Sequence, residues 1–280
     1  MVIGIIGYGV VGTATAELLR RLGHTVRVRD TDAGRMKMAR SEGFGEIGQG
    51  EQVEVLFICV PERHVRDALC SAPDSPTTIV RSTVPPGTTE SLSRELGRPL
   101  VFMPETLREA TALWDALNPA LILIGCPNKE QGERLAELFA PLMAPVVLVP
   151  TSTAEMVKLT LNAYLHTLIS FWNEIQLICD LTALQSHIVG KLCSQDPRVS
   201  SYGAAMHGRP AGGTCLPKDI AQLIGFAESK GYEPQLLGAV RDMNVRIEGH
   251  RDEVTNNGHR PHSSPGSLPK LQLAPVSEAR

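Results

Sequence analysis

A glycine-rich motif near the start of the chain constrains the fold more than any other feature of the sequence. The letters GYGVVG occupy residues 7–12, directly after a short apolar run, and a helical pattern follows them. The next strand-like run, residues 25–30, ends in an acid, Asp30. A strand, a GxGxxG turn, a helix and an acid-terminated strand in this order are typical of dinucleotide-binding units. For the motif alone, a glycine-rich structural turn is the alternative.

The residues of this motif predict how a dinucleotide would be held. Gly7 permits the tight turn, Gly9 lets the pyrophosphate approach the backbone, and Gly12 lets the helix pack against the strand. The helix N-terminus would face the phosphates. Asp30 would accept hydrogen bonds from the adenosine ribose, which favours NAD because a carboxylate repels the 2′-phosphate of NADP. NADP stays the alternative because three arginines lie close in sequence: Arg27, Arg29 and Arg35.

Strands and helices alternate through the first 150 residues. Strand-like runs occupy residues 2–6, 25–30, 55–60, 77–82, 100–103, 121–124 and 146–149, and helical patterns occupy residues 13–22, 88–96, 107–117 and 129–139. This alternation predicts an α/β fold, with an N-terminal Rossmann domain built on a doubly wound parallel sheet over residues 1–150. Ligands of such sheets bind at the carboxyl ends of the strands, where Thr83 and Glu105 lie. A strand-end cap and a solvated acid are the alternatives for these two residues.

The next part of the chain, residues 151–251, has the pattern of an all-helical domain with one long helix. The letters STAE at residues 152–155 form a capping box, and no Pro or Gly interrupts the chain from there to residue 187. We therefore expect one helix from this box to about Asp180, followed by a shorter one. Two further helices are predicted over residues 217–229 and 234–251.

Two polar residues share one face of the predicted long helix. Lys158 and Asn162 are four residues apart, so their side chains stack one turn from each other. A lysine and an asparagine on one face could hold an oxyanion. A solvated polar stripe is the alternative.

The stretch GGTCLPKD, which contains Cys215, places a thiol at the start of a predicted helix. Pro217 suits the first helical position, so Cys215 would lie beside the positive helix end with Lys218 close by, and both favour the nucleophilic thiolate. Asp219 lies four residues after the thiol and would reach the same pocket. The preceding residues, 200–213, are rich in Gly, Ala and Ser and are predicted to form a flexible loop that delivers the cysteine. A buried, unreactive cysteine is the alternative.

Composition excludes several classes of protein. The net charge of −3 and the pI near 6.3 give no electrostatic case for a nucleic-acid partner. Six cysteines without CxxC pairs indicate reduced thiols in a cytoplasm, and the eight histidines have no metal-ligand spacing. No apolar run approaches the roughly 18 residues of a membrane span. The tail, residues 252–280, is predicted to be disordered because Asn, Gly, His, Pro and Ser dominate its first part.

Taken together, these motifs resemble the UDP-glucose/GDP-mannose 6-dehydrogenase family from Met1 to about Asn244. The resemblance rests on several motifs in the order of the family: GYGVVG at 7–12, STVPPGTT at 82–89, PETLRE at 104–109, EMVK at 155–158 with Asn162 and Asn173-Glu174, and GGTCLPKD at 212–219. It implies an NAD-dependent, four-electron oxidation of a sugar-nucleotide C6 alcohol to an acid without release of the aldehyde.

The resemblance also implies roles for individual residues. Cys215 would attack the aldehyde, and Lys158 and Asn162 would stabilise the developing oxyanion. Glu105 would be the base for the hydrolytic water, which Thr83 and Asp219 would position. The cofactor contacts would be Gly7, Gly9, Val10, Val11, Gly12, Asp30, Val60, Thr83, Lys218 and, on the nicotinamide side, Glu109. The long helix would form a homodimer.

Some features depart from the family. Relatives have a further carboxyl-terminal Rossmann-like domain, which this chain is expected to lack. The segment 208–213 reads GRPAGG, with Pro and Ala where Gly and Phe are usual, and Glu62 stands where relatives usually have Thr. The substrate is therefore expected to be a nucleotide sugar or a smaller alcohol. The alternatives are a two-electron 3-hydroxyacid-type dehydrogenase that uses Lys158 as its base, and an inactive NAD-binding remnant.

Overall fold

Eight strands form one sheet in the part of the chain that the computed structural model describes, which is residues 1–48, 50–206, 208–213 and 215–256. The strands are β1 (Val2–Ile6), β2 (Thr25–Arg29), β3 (Gly45–Glu46), β4 (Val55–Ile58), β5 (Thr77–Val80), β6 (Leu100–Phe102), β7 (Ile122–Gly125) and β8 (Val146–Val149). Their order is β3-β2-β1-β4-β5-β6-β7-β8. The predicted α/β fold with a doubly wound sheet is confirmed. The tail was predicted to be disordered from residue 252, but the last helix continues to Asn256; the rest of the predicted tail, residues 257–280, lies outside the described residues.

The sheet is mainly parallel, with one exception. β6 and β7 pair antiparallel, with Phe102 opposite Gly125, whereas β7 and β8 are parallel to each other. β7 therefore starts at the edge of the sheet where β6 ends, and the connection between them has no need to cross back along the sheet. The alternating pattern alone predicted a parallel sheet throughout, because it does not encode strand direction.

Helices cover both faces of the sheet. They are α1 (Val10–Arg21), α2 (Ala33–Ser41), α3 (Val65–Cys70), α4 (Thr88–Leu96), α5 (Ala112–Leu117) and α6 (Lys129–Phe139). Successive residues of β4 point to opposite faces, so that Phe57 belongs to one buried cluster and Leu56 and Ile58 to the other. The chain therefore has a core on each side of the sheet, as a doubly wound fold requires.

A helical region follows the sheet and packs around one long helix. Its helices are α7 (Thr151–Asp180), α8 (Ser186–Cys193), α9 (Ser201–Ala204), α10 (Cys215–Ser229) and α11 (Gln235–Asn256). α8, α9, α10 and α11 all contact α7. The short helix α9 lies within the segment predicted to be a loop, where the Ser200 side chain accepts a hydrogen bond from the Tyr202 N–H and starts the turn. No helix in the described ranges has the length and apolar character needed to cross a membrane.

The predicted capping box is not formed, although the long helix begins where it was expected. α7 starts at Thr151, after Pro150, and no side chain caps it. Glu155 instead accepts hydrogen bonds from the N–H groups of Gly87 (2.6 Å) and Thr89 (2.8 Å), at the start of α4. The N-terminus of α4 has unpaired N–H groups that no local side chain satisfies. The fully buried Glu155 carboxylate satisfies two N–H groups there and leaves the start of its own helix without a side-chain cap.

Candidate active site

The glycine motif forms the turn between β1 and α1, and two of its glycines have no room for a side chain. Gly7 has a φ of +97°, and a Cβ there would lie 2.6 Å from the Cys59 carbonyl oxygen. A Cβ on Gly12 would lie 1.8 Å from the Gly7 carbonyl oxygen. Gly9 is different, because it precedes α1 and the nearest atom to its Cβ position belongs to Arg35, at 3.8 Å. The turn therefore leaves open backbone at a helix N-terminus, which suits a pyrophosphate.

The residues predicted to contact the cofactor lie around this turn. A cleft of about 890 Å³ is lined by Gly9, Val10 and, across from them, Glu109. The Val60 side chain lies 2.9 Å from the Cβ position of Gly7, and Val11 is in the first turn of α1. Lys218 is instead on α10, where it pairs with Asp219, and its charge acts on Glu62, which follows β4.

Asp30 is held at the end of β2 as a ribose-binding acid would be. Its two carboxylate oxygens accept hydrogen bonds from the N–H groups of Tyr8 (2.6 Å) and Asp32 (2.8 Å). Of the three nearby arginines, Arg35 lies 3.6 Å from Asp30. The other two bind elsewhere: Arg27 pairs with Glu51 at 2.7 Å, and Arg29 donates to the Ser71 carbonyl at 2.6 Å. This arrangement favours NAD over NADP, because the acid is fixed and two of the three cations are engaged.

Two of the predicted catalytic residues form a buried ion pair. Lys158 Nζ on α7 lies 2.9 Å from Glu105 Oε1, and their side chains are 4% and 9% exposed. The other oxygen of Glu105 accepts a hydrogen bond from the Leu107 N–H at 2.7 Å. The pair joins the carboxyl end of β6 to the long helix. Sequence reasoning placed both residues in the site but gave them separate tasks, and their direct contact was not foreseen.

One turn along α7, a second polar contact joins the long helix to α10. Asn162 Nδ2 donates to Asp219 Oδ2 at 2.5 Å, and Lys218 forms an ion pair with the other oxygen of Asp219. Asp219 is 1% exposed. Lys158 thus contacts Glu105, and Asn162 contacts Asp219. Both contacts are made from one face of α7, because the two helix residues are four apart, as predicted.

Cys215 is the first residue of α10 and is exposed. The helix begins two residues earlier than predicted, so Pro217 is its third residue, where a missing N–H still costs no helical hydrogen bond. Cys215 lies one turn before Asp219 on the helix.

Cys59 is a second thiol near the site and lies beside the glycine turn. Burial raises the pKa of its thiol to about 12, against the effects of Arg81 and Thr15. Cys59 is therefore a structural thiol.

Several residues at the site were not predicted. Glu62 follows β4, and its carboxylate accepts a hydrogen bond from Gln222 of α10. Burial raises the pKa of Glu62, and the charge of Lys218 opposes this while Asp219 adds to it. Arg81 is buried at the end of β5, where burial lowers its pKa against the charges of Cys59 and Glu105. Arg81 could have been found from the sequence, because it is a charged residue at the end of an otherwise apolar strand. Thr83, which was predicted, lies two residues after Arg81 and is half-buried.

The fold and the site together define the class of this protein. A dinucleotide-binding turn with a fixed acid after the second strand, joined to a helical region whose polar face meets the carboxyl ends of the strands, is the arrangement of an NAD-dependent oxidoreductase. In the described part of the chain, no three His, Cys, Asp or Glu side chains are grouped to hold a metal ion.

Comparison with known proteins assigns the family. Residues 46–143 match the NAD binding domain of the UDP-glucose/GDP-mannose dehydrogenase family, and residues 152–246 match its central domain. The UDP-glucose 6-dehydrogenase AglM of Haloferax volcanii is 32% identical over 87% of this chain and 69% of its own length. The chain therefore belongs to the UDP-glucose/GDP-mannose dehydrogenase family, whose cofactor is NAD.

Solved structures agree with this assignment. A UDP-glucose dehydrogenase from Pyrobaculum islandicum matches 92% of this chain and 71% of its own, with a TM-score of 0.80 and 25% identity. A 3-hydroxyisobutyrate dehydrogenase from Mycobacterium tuberculosis matches 89% of this chain and 94% of its own, with a TM-score of 0.73. At 14% identity, the second likeness shows only that the fold is shared.

Proposed function

We propose that this chain oxidises the C6 alcohol of a nucleotide sugar to the carboxylate, with Cys215 holding the intermediate covalently. The observation that supports this most is the placement of Cys215 at the start of α10, one turn from Asp219, which Asn162 of α7 holds. The names of the relatives, which act on UDP-glucose, support the substrate class. A smaller alcohol remains the alternative substrate.

The oxidation would proceed in two hydride transfers. NAD, when bound, would supply the hydride acceptor of both transfers, one NAD for each, and in the first a base takes the proton of the C6 hydroxyl. The first oxidation leaves an aldehyde, whose carbon is attacked by Cys215 Sγ, so that a C–S bond forms and the carbonyl oxygen becomes an oxyanion. Lys158 and Asn162 are the donors on α7 that would stabilise this oxygen. Loss of the second hydride from the thiohemiacetal carbon gives a thioester, and attack by water breaks the C–S bond and releases acid and thiol.

Glu105 is the proposed base for the hydrolytic water. It is buried at the carboxyl end of β6, and its Oε1 lies 2.9 Å from the Lys158 ammonium on the face of α7 that carries the proposed oxyanion donors. Thr83 and Asp219 would position the water. Covalent capture explains the need for a thiol, since it retains the aldehyde while the reduced cofactor is exchanged.

The yield of NADH from a limiting substrate tests this function. Purified protein with excess NAD and a limiting UDP- or GDP-sugar is expected to produce two NADH for each sugar consumed, measured by absorbance at end point. One NADH for each molecule would instead support two-electron oxidation with Lys158 as base, which the shared fold of the hydroxyisobutyrate dehydrogenase also allows. No NADH from any sugar or small alcohol, with NAD binding intact, would favour an inactive NAD-binding protein.

We also propose that the long helix forms a homodimer. The outward side of α7 exposes Val157, Tyr164 and Phe171, which are 44%, 56% and 52% accessible. Val157 and Tyr164 line a groove of about 670 Å³ along the first half of the helix. Burial of such side chains against a second copy would remove apolar surface from water. A monomeric mass by light scattering at micromolar concentration would contradict this proposal.

A further inference from the structure

Two buried asparagines hold the backbone that leads into α10. On α7, Asn173 Nδ2 donates to the Arg209 carbonyl at 2.9 Å, and its Oδ1 accepts from the Gly208 N–H at 2.9 Å. On α11, Asn244 Oδ1 accepts from the Ala211 N–H at 2.6 Å. Because Asn173 and Asn244 are 1% and 4% exposed, their hydrogen bonds with the backbone fix the path of this segment in a nearly dry environment.

His166 holds the next part of the same path. It lies on α7 four residues after Asn162 and eight after Lys158, so it continues their face of the helix. His166 is 1% exposed, and its Nδ1 lies 3.4 Å from the carbonyl oxygen of Leu216, the residue directly after Cys215. A carbonyl oxygen only accepts hydrogen bonds, so this contact requires the proton on Nδ1 and makes Nε2 an acceptor. Nε2 is buried and has no hydrogen-bond partner among the described residues.

The surroundings of His166 favour the neutral ring. Burial lowers the pKa of its imidazole, and the Leu216 carbonyl of α10 together with Asn244 and the Glu248 carboxylate of α11 oppose that effect. On α7 itself the neighbours one turn away, Asn162 and Ser170, are uncharged. Burial is the largest of these effects, so the pKa of the ring stays lowered.

We propose that His166 is a positioning residue for Cys215: through Leu216 it holds the first turn of α10 against α7 and so fixes the thiol at the helix N-terminus. There the thiol lies one turn before Asp219. The inference deepens the proposed function, since it concerns the same thiol, but its test needs no substrate.

The test is the reactivity of Cys215 toward iodoacetamide, measured on the full chain by peptide mass spectrometry from pH 5 to 8. The rate is divided by that of Cys70, an exposed thiol on α3 of the same molecule. For the natural chain, we expect this ratio to hold as the pH falls, because Nδ1 keeps its proton when Nε2 gains one and the contact with the Leu216 carbonyl is retained. A ratio that decreases at acidic pH in the natural chain but not in His166→Leu would overturn the proposal.

Variants separate the hydrogen bond from the space that the ring fills. His166→Leu is expected to lower the ratio about fivefold at pH 8, because the first turn of α10 loses its hydrogen bond to α7. His166→Asn, which places an amide near the Nδ1 position, is expected to restore most of the ratio. The exposed histidine of α8 provides the control, and His187→Asn should leave the ratio unchanged. If His166→Asn is as impaired as His166→Leu, or if neither differs from the natural chain, the proposal is wrong. Normal thiol ratios without NADH production would contradict the proposed function alone.

Discussion

Cys215→Ala is expected to reduce the rate of NADH formation from a nucleotide sugar by at least about 10³-fold, because the aldehyde then has no thiol to capture it and the second hydride transfer has no substrate. The measurement is steady-state NADH production with saturating NAD. Any remaining NADH should not exceed one for each sugar consumed. The variant should fold normally, since Cys215 is exposed.

Cys193→Ala is the matched control for this substitution. Cys193 is also exposed and lies at the end of α8, away from the polar face of α7 that meets α10. We expect this variant to keep the natural rate. Full activity of Cys215→Ala would contradict the thioester mechanism and establish the two-electron reaction with Lys158 as its base.

Lys158→Met is expected to lower the free energy of unfolding by about 3–5 kcal/mol, because it leaves Glu105 as an unpaired carboxylate in a site where both side chains are nearly inaccessible. The same variant should lose at least about 10²-fold in the rate of NADH formation through loss of an oxyanion donor. Urea unfolding and steady-state kinetics measure the two effects separately.

Two further variants identify the origin of the loss. Lys158→Met combined with Glu105→Gln removes the stranded charge, so the double variant should regain most of the stability but none of the activity. Lys129 pairs with Glu133 on the surface of α6, with side chains 82% and 57% exposed. Lys129→Met should therefore cost less than about 1 kcal/mol. Equal losses for the two lysine variants would show that the buried pair contributes no more to stability than a surface one.

The sequence predicted most of the sheet, because its strands and turns are encoded locally. Each predicted strand is present with its ends within two residues of those expected, and Gly7 and Gly12 stand where only glycine fits. Strand direction was not predictable, as β7 shows, because an apolar run is the same in either direction. The same local reasoning wrongly predicted that Glu155 caps its own helix. Its partners at the start of α4 are 66 and 68 residues away in sequence.

The site could be predicted as a set of residues but not as a set of contacts. Lys158 and Asn162 were recognised from their helical spacing, yet their partners Glu105 and Asp219 are brought to them only by the packing of α7 on the sheet and on α10. His166 was not recognised from the sequence, since a single histidine on a helix is ordinary until the Leu216 carbonyl beside it is known.

The hydrogen bonds of Glu155 also limit how the chain can be divided. The helix α4 belongs to the sheet, but the carboxylate that satisfies its first N–H groups comes from α7. A fragment that ends with β8 would expose these groups and lose the anchor of the loop that follows Thr83. A chimaera joined between β8 and α7 would keep this anchor only if its long helix carried a glutamate at the Glu155 position. Exchange of the helical region at Pro150 is therefore expected to destabilise the start of α4 unless this acid is retained.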